Sequence, residues 1–164
     1  MVEMRRDRHD VEVEWRRTKR TIYADYLNVL TRARWELSDI AHDPDLSDAE
    51  RHRRASVVFA RCYEVRDQLE LYAPLSVVEP AVQYLRQVRA FRDAVRKGRF
   101  RGAGISADEE YRRLWGLATD WSRHAKKAMR HDINPESVAD GDEDGAGPGH
   151  HEISGPATSE PDPA

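Results

Sequence analysis

The chain has 164 residues, 35% of them charged and 39% apolar, a length suited to one domain and a charge-rich profile that fits helices with a narrow apolar seam better than a thick globular core. Residues 134–164 hold eight acids and no Lys or Arg, leaving 27 bases against 22 acids in residues 1–133, so the net −3 divides into a body of +5 and a tail of −8. A body this weakly basic is unlike dedicated nucleic-acid binders. The single Cys62 rules out an internal disulfide, and the longest purely apolar run, Val57 to Ala60, is far too short for a membrane span.

The N-terminus has no apolar region of the kind a signal peptide needs, so a reducing, cytoplasmic setting is the economical expectation. Residues from about 7 to 42 read as one helix. Trp15, Ile22, Tyr26, Val29, Ala33 and Ile40 recur at spacings of three, four and seven, joined by Tyr23, Leu30 and Leu37. Pro44 ends it.

Ser47 and Glu50 form a Ser-x-x-Glu capping box that announces a second helix, with Ala55, Val58, Cys62, Val65, Leu69 and Tyr72 as its seam and Pro74 as its stop. A third begins between Ser76 and Pro80, where a second box competes with a proline. Val77, Ala81, Tyr84, Val88, Phe91 and Val95 make its stripe, and Gly98 punctuates its end. A third box, Ser106 and Glu109, opens a fourth helix running through Tyr111, Leu114, Ala118, Trp121, Ala125 and Ala128 to about Asp132.

Short connections favour antiparallel neighbours, so residues 1–133 are expected to form an all-α, up-down-up-down four-helix bundle with an overlong first helix. Residues 134–164, acidic and rich in Gly and Pro, are expected to be a disordered tail. The first helix would be about 54 Å long and the second about 39 Å, so about ten residues must overhang.

The run WRRTKRTIYADYL, from Trp15 to Leu27, mixes cations with aromatic rings. On a helical projection Arg16, Arg17, Arg20 and Arg34 fall on one side of the apolar stripe, and Asp10, Glu14, Asp25, Glu36 and Asp39 on the other. That split suits a helix wedged between neighbours, whereas a groove-reading helix keeps acids off its outward face. Tyr23 and Tyr26 are then seam residues rather than base-stacking platforms. This run, together with ELYAPLSVVEPA (Glu70 to Ala81), resembles small all-helical proteins of actinobacteria that have no assigned activity. The likeness spans residues 15 to about 130; it implies the fold and carries over no site residues.

Catalytic and metal readings fail on spacing. Neither Glu-x-x-His nor His-Glu-x-x-His occurs, and His150–Glu152 lies in the tail without supporting groups. Cys62 falls on an apolar seam, where a thiol is inert. His52 and His124 lie among Arg and Lys, as solvated side chains do. The loop GRFRGAG has glycines and charge without P-loop spacing. No enzyme activity, metal or cofactor is expected. The expected role is contact with a protein partner or a second copy, with Val11 and Trp15 on the overhang as interface candidates. The alternative is weak nucleic-acid association through a basic patch of Arg16, Arg17, Arg20, Arg51, Arg53 and Arg54, with Arg5 and Arg6 adding to it.

Overall fold

A computed structural model describes residues 2–101 and 105–135, with side chains described for 10–101 and 106–135. Four helices follow in order: α1 (Val2–His42), α2 (Asp48–Tyr72), α3 (Leu75–Arg96) and α4 (Ile105–Ile133). The described residues contain no strand. The expected disorder of the tail and the His150–Glu152 cluster fall on residues 136–164, outside the described ones.

Side-chain pairings fix the direction of each neighbour. Trp15 of α1 meets Tyr72 at the end of α2, while Glu36 and Asp39 line the same groove as Arg53 and Arg54 at its start. Arg92 of α3 lies over Phe59 of α2, and Arg96 beside His52. Phe91 packs on Tyr111 and Trp115 of α4, and Ser38 of α1 bonds Tyr111 while Lys19 reaches Asp132. Numbers rise on one helix as they fall on its neighbour, which is the up-down-up-down arrangement. Across the diagonal, α1 and α3 run parallel and touch: the Tyr26 hydroxyl donates to the Ala81 carbonyl, and Thr31 lies 3.3 Å from the Tyr84 hydroxyl. No Cα of α2 comes within 8 Å of α4 among the described residues.

The helix ends follow local chemistry, with three departures from the sequence reading. At α2, the Ser47 hydroxyl accepts from the Glu50 amide at 3.2 Å, as a cap should. Glu50 does not complete the box; its carboxylate takes hydrogen bonds from Arg53 and Arg54 instead. The helix α3 starts at Leu75, because Pro74 holds φ −70 and ψ 161 and serves as the N-cap itself. Ser76 is therefore inside the first turn and caps nothing, and the helix continues through Pro80 at the cost of one amide donor. Likewise α4 begins at Ile105, one residue before Ser106. The end of α3 is a Schellman turn, in which Gly98 at φ 65 donates to the Val95 carbonyl and Arg99 to the Ala94 carbonyl.

The buried face of α3 matches its stripe throughout: Val77, Ala81, Tyr84, Val88, Phe91 and Val95 are all buried. On α2 the buried position is Phe59 rather than Val58, since α2 contacts both α1 and α3 and covering the larger ring removes more apolar surface from water. On α4, Ser122 and Met129 are buried, whereas Trp121 and Ala128 are only partly covered. An aromatic cluster joins α1, α3 and α4. Phe91 lies 5.3 Å from Phe100, 5.4 Å from Tyr111 and 5.8 Å from Trp115, and Trp35 meets Trp115 edge-on at 4.8 Å.

Gly116, in the interior of α4, has open space where a Cβ would stand. A helical glycine costs about 1 kcal/mol relative to alanine through chain entropy. Gly116→Ala is therefore expected to raise stability by about that amount. A urea titration measures it, and a fall in midpoint would show that the position carries a constraint the packing does not display.

Candidate functional site

Tyr72, the last residue of α2, lies against Trp15 with ring centroids 5.4 Å apart. Residues 2–14 of α1 thus project past the α2–α3 turn, a length of about 20 Å for thirteen helical residues. Val11 is 70% exposed, Val13 52% and Trp15 46%. The turn itself is only Ala73 and Pro74, too short to fold any side chain over the helix ends. Leu71 and Leu75, which flank it, are therefore 79% and 73% exposed. Lys19 Nζ stands 5.9 Å from the centre of the Trp15 ring. This end of the bundle combines a projecting helix with several uncovered apolar side chains. Both sequence-derived interface candidates belong to it. Leu71 and Leu75 were missed, although two leucines four residues apart around a proline, one off the α2 seam and one off the α3 stripe, were a readable signal.

The six basic-patch candidates do not form a patch. Arg51 is 1% exposed, which corrects its reading as a surface cation. It donates to the Leu46 carbonyl at 3.0 Å and to Asp48 Oδ1 at 3.0 Å, and sits so tightly under the α3 end that a Cβ on Gly98 would come within 3.0 Å of its Nη1. Arg101 bonds the same Leu46 carbonyl and the Pro44 carbonyl, so two arginines stitch the α1–α2 turn to the end of α3. Arg53 and Arg54 are exposed but share Glu50, and their hydrogen bonds, Arg53's first, hold its carboxyl down at about 2. Arg16 is paired with Glu12 at 2.6 Å. Arg17 and Arg20 are exposed, with no carboxylate within ion-pair distance among the described residues. Arg34, placed on the same flank from sequence, is buried, lies 4.3 Å over the Trp115 ring and donates to Thr119. Arg5 and Arg6 lie outside the residues whose side chains are described.

The remaining candidates are occupied by the fold. Tyr23 and Tyr26 are buried, and the Tyr23 hydroxyl donates to Asp132 at 2.6 Å. Burial pushes the Cys62 thiol up to about 12. His52 bonds Arg96, and the His124 Nδ1 lies 2.9 Å from the Asp120 carbonyl oxygen in its own helix. In the GRFRGAG loop, Arg99 is held by Glu110 and Arg101 by the α1–α2 turn. Along the outside of the α1–α2 seam runs a groove of about 570 Å³, with Val29, Ala33, Val58 and Val65 in its floor. Its rim alternates Asp25, Arg32, Glu36, Arg61 and Glu64. Its lining includes no Ser, Thr, Cys, Tyr, Lys or His. No three His, Cys, Asp or Glu side chains gather to hold a metal ion among the described residues, and no described helix is long and apolar enough to cross a membrane.

No family model, curated protein or solved structure matches the chain. Function is therefore read from the chemistry of its own surface.

Proposed function

We propose that this protein is a non-catalytic helical module that works by contact, and that the projecting start of α1 is the contacting element. The carrying observation is the exposure of Val11 and Trp15 beside Leu71 and Leu75 at one end. Fully covering a side chain of this size is worth about 1.5–3 kcal/mol, and Trp is enriched among interface anchors. A second copy is the simplest partner. In α1 a net-basic run, Arg5, Arg6 and Arg8 around Asp7, precedes an acidic one holding Asp10, Glu12 and Glu14. An antiparallel pair brings the basic run of one copy alongside the acidic run of the other, whereas a parallel pair sets like against like.

Sedimentation velocity of the full chain at tens of micromolar is the test. The wild type is expected to be dimeric and a Val11→Ala, Trp15→Ala variant monomeric, with unchanged helicity. A Leu71→Asn, Leu75→Asn variant tests the other half of the patch. A monomeric wild type overturns self-association, and a variant that stays dimeric places the contact elsewhere.

Nucleic-acid association is the rival reading. The burial of Arg51 and the engagement of Arg16, Arg53 and Arg54 by carboxylates weigh against it, because each such pairing must break before a phosphate can be bound.

A further inference from the structure

Lys19 Nζ lies 2.9 Å from Asp132 Oδ2, and the Tyr23 hydroxyl bonds the same oxygen. These contacts seat the last turn of α4 beside residues 16–23 of α1. They also occupy Asp132, the only acid between Trp121 and Ile133. Arg17 and Arg20 of α1 and Lys126, Lys127 and Arg130 of α4 are all exposed at this end. None has a carboxylate within 4.0 Å among the described residues; the same holds for the exposed Arg61, Arg86, Arg89, Lys97, Arg112 and Arg113, but here the last three turns of α4 hold no acid other than the engaged Asp132. On a helical projection, Arg20, Lys127 and Arg130 fall toward the outer side of the α1–α4 seam. The result is an uncompensated basic face.

We propose that this face is occupied by residues 136–164 of the same chain. That segment carries eight acids and no Lys or Arg, so its charge is opposite to that of the face. It also leaves the fold at the right place, one residue beyond Pro135. Asp140 lies five residues on, a span of up to about 17 Å. Lys127 lies six residues back from Ile133, the end of α4, about 9 Å along the helix. The cluster Asp140, Asp142, Glu143, Asp144 therefore reaches Lys126, Lys127 and Arg130 directly. Favourable placement of cations at a helix C-terminus accounts for Arg130, but that effect fades beyond the last turn and does not reach Lys126 or the α1 arginines. The contact is electrostatic and exposed, so added salt reverses it.

The chain has only four lysines, Lys19, Lys97, Lys126 and Lys127, which suits zero-length carbodiimide cross-linking of the full chain followed by peptide mass spectrometry. Lys97 is exposed at the opposite end of the bundle and serves as the internal control. Cross-links from Asp140–Asp144 to Lys126 and Lys127 are expected to exceed those to Lys97 severalfold. They should fall severalfold in about 0.5 M salt, where the screening length is only a few ångströms. They should fall comparably in an Arg17→Gln, Arg20→Gln, Arg130→Gln variant, which keeps both reporting lysines. Cross-links that persist through both treatments reflect mere proximity along the chain and overturn the proposal. So does an equal yield at Lys97. Links that join ¹⁵N-labelled to unlabelled chains in a mixture also overturn it, since they place the segment on another copy.

Discussion

Phe91→Ala is expected to destabilise the fold by about 3–5 kcal/mol, the range for deleting a buried ring without full collapse around it. Phe91 is wholly buried and meets Phe100, Tyr111 and Trp115 at once, so its loss leaves α3, the α3–α4 connection and α4 without their common packing partner. Single domains are commonly stable by only about 5–15 kcal/mol, so the change removes a large share of the total. The melting temperature should drop by about 10 °C or more. Trp15→Ala is the contrast, because a half-exposed ring at the projecting end contributes little to the fold. Differential scanning calorimetry of both variants at a concentration low enough to hold the chain monomeric is the measurement. A Phe91→Ala protein that melts within about two or three degrees of wild type would mean that the cluster is not a packing centre.

Alkaline pH is expected to unfold the protein. Burial, aided by the bond to Asp132, raises Tyr23 above the usual tyrosine range, and burial raises Tyr26. Burial also raises the Cys62 thiol to about 12. All three are kept neutral by the fold, so their contribution is fully present below the pKa of the unfolded group. That contribution is lost as pH rises, from about 8.5 for the thiol and about 10 for the tyrosines, towards the folded values. The denaturant midpoint should therefore be level near pH 7–8 and fall steeply by about pH 11. Tyr26→Phe should be less sensitive, having one fewer group to ionise. The same burial predicts that Cys62 reacts with a thiol reagent orders of magnitude more slowly in the folded chain than in denaturant. A midpoint that does not change across this range, or a thiol that reacts at once, would contradict the burial.

Legibility from sequence followed the range of the causes. Ser47 and Pro44 act on their own neighbours, and the α1–α2 boundary was readable. The stripe of α3 was readable because that helix is packed from several sides, so every position of its repeat is filled. The start of α3 was not, since Ser76 and Glu79 carry the same signature as Ser47 and Glu50 while Pro74 had already set the chain direction. Arg51 was misread for a different reason. Nothing in the run RHRR says that the end of α3, far along the chain, will close over its first arginine. At the candidate site, the length mismatch between α1 and α2 exposed Val11 and Trp15 on paper. Leu71 and Leu75 join them only through the brevity of the Ala73–Pro74 turn.

With α1 against α3 and α2 apart from α4, the cross-section is a rhombus, two three-helix wedges fused along a shared edge. The helices at the blunt corners are enclosed on more sides than those at the acute ones, and α3 buries eight of 22 residues where α2 buries six of 25. Sequence change should therefore be tolerated unevenly. Drift is cheap on the outer arc of α2, which is free to acquire new surfaces, and costly along the α1–α3 spine, where one altered side chain disturbs both wedges together.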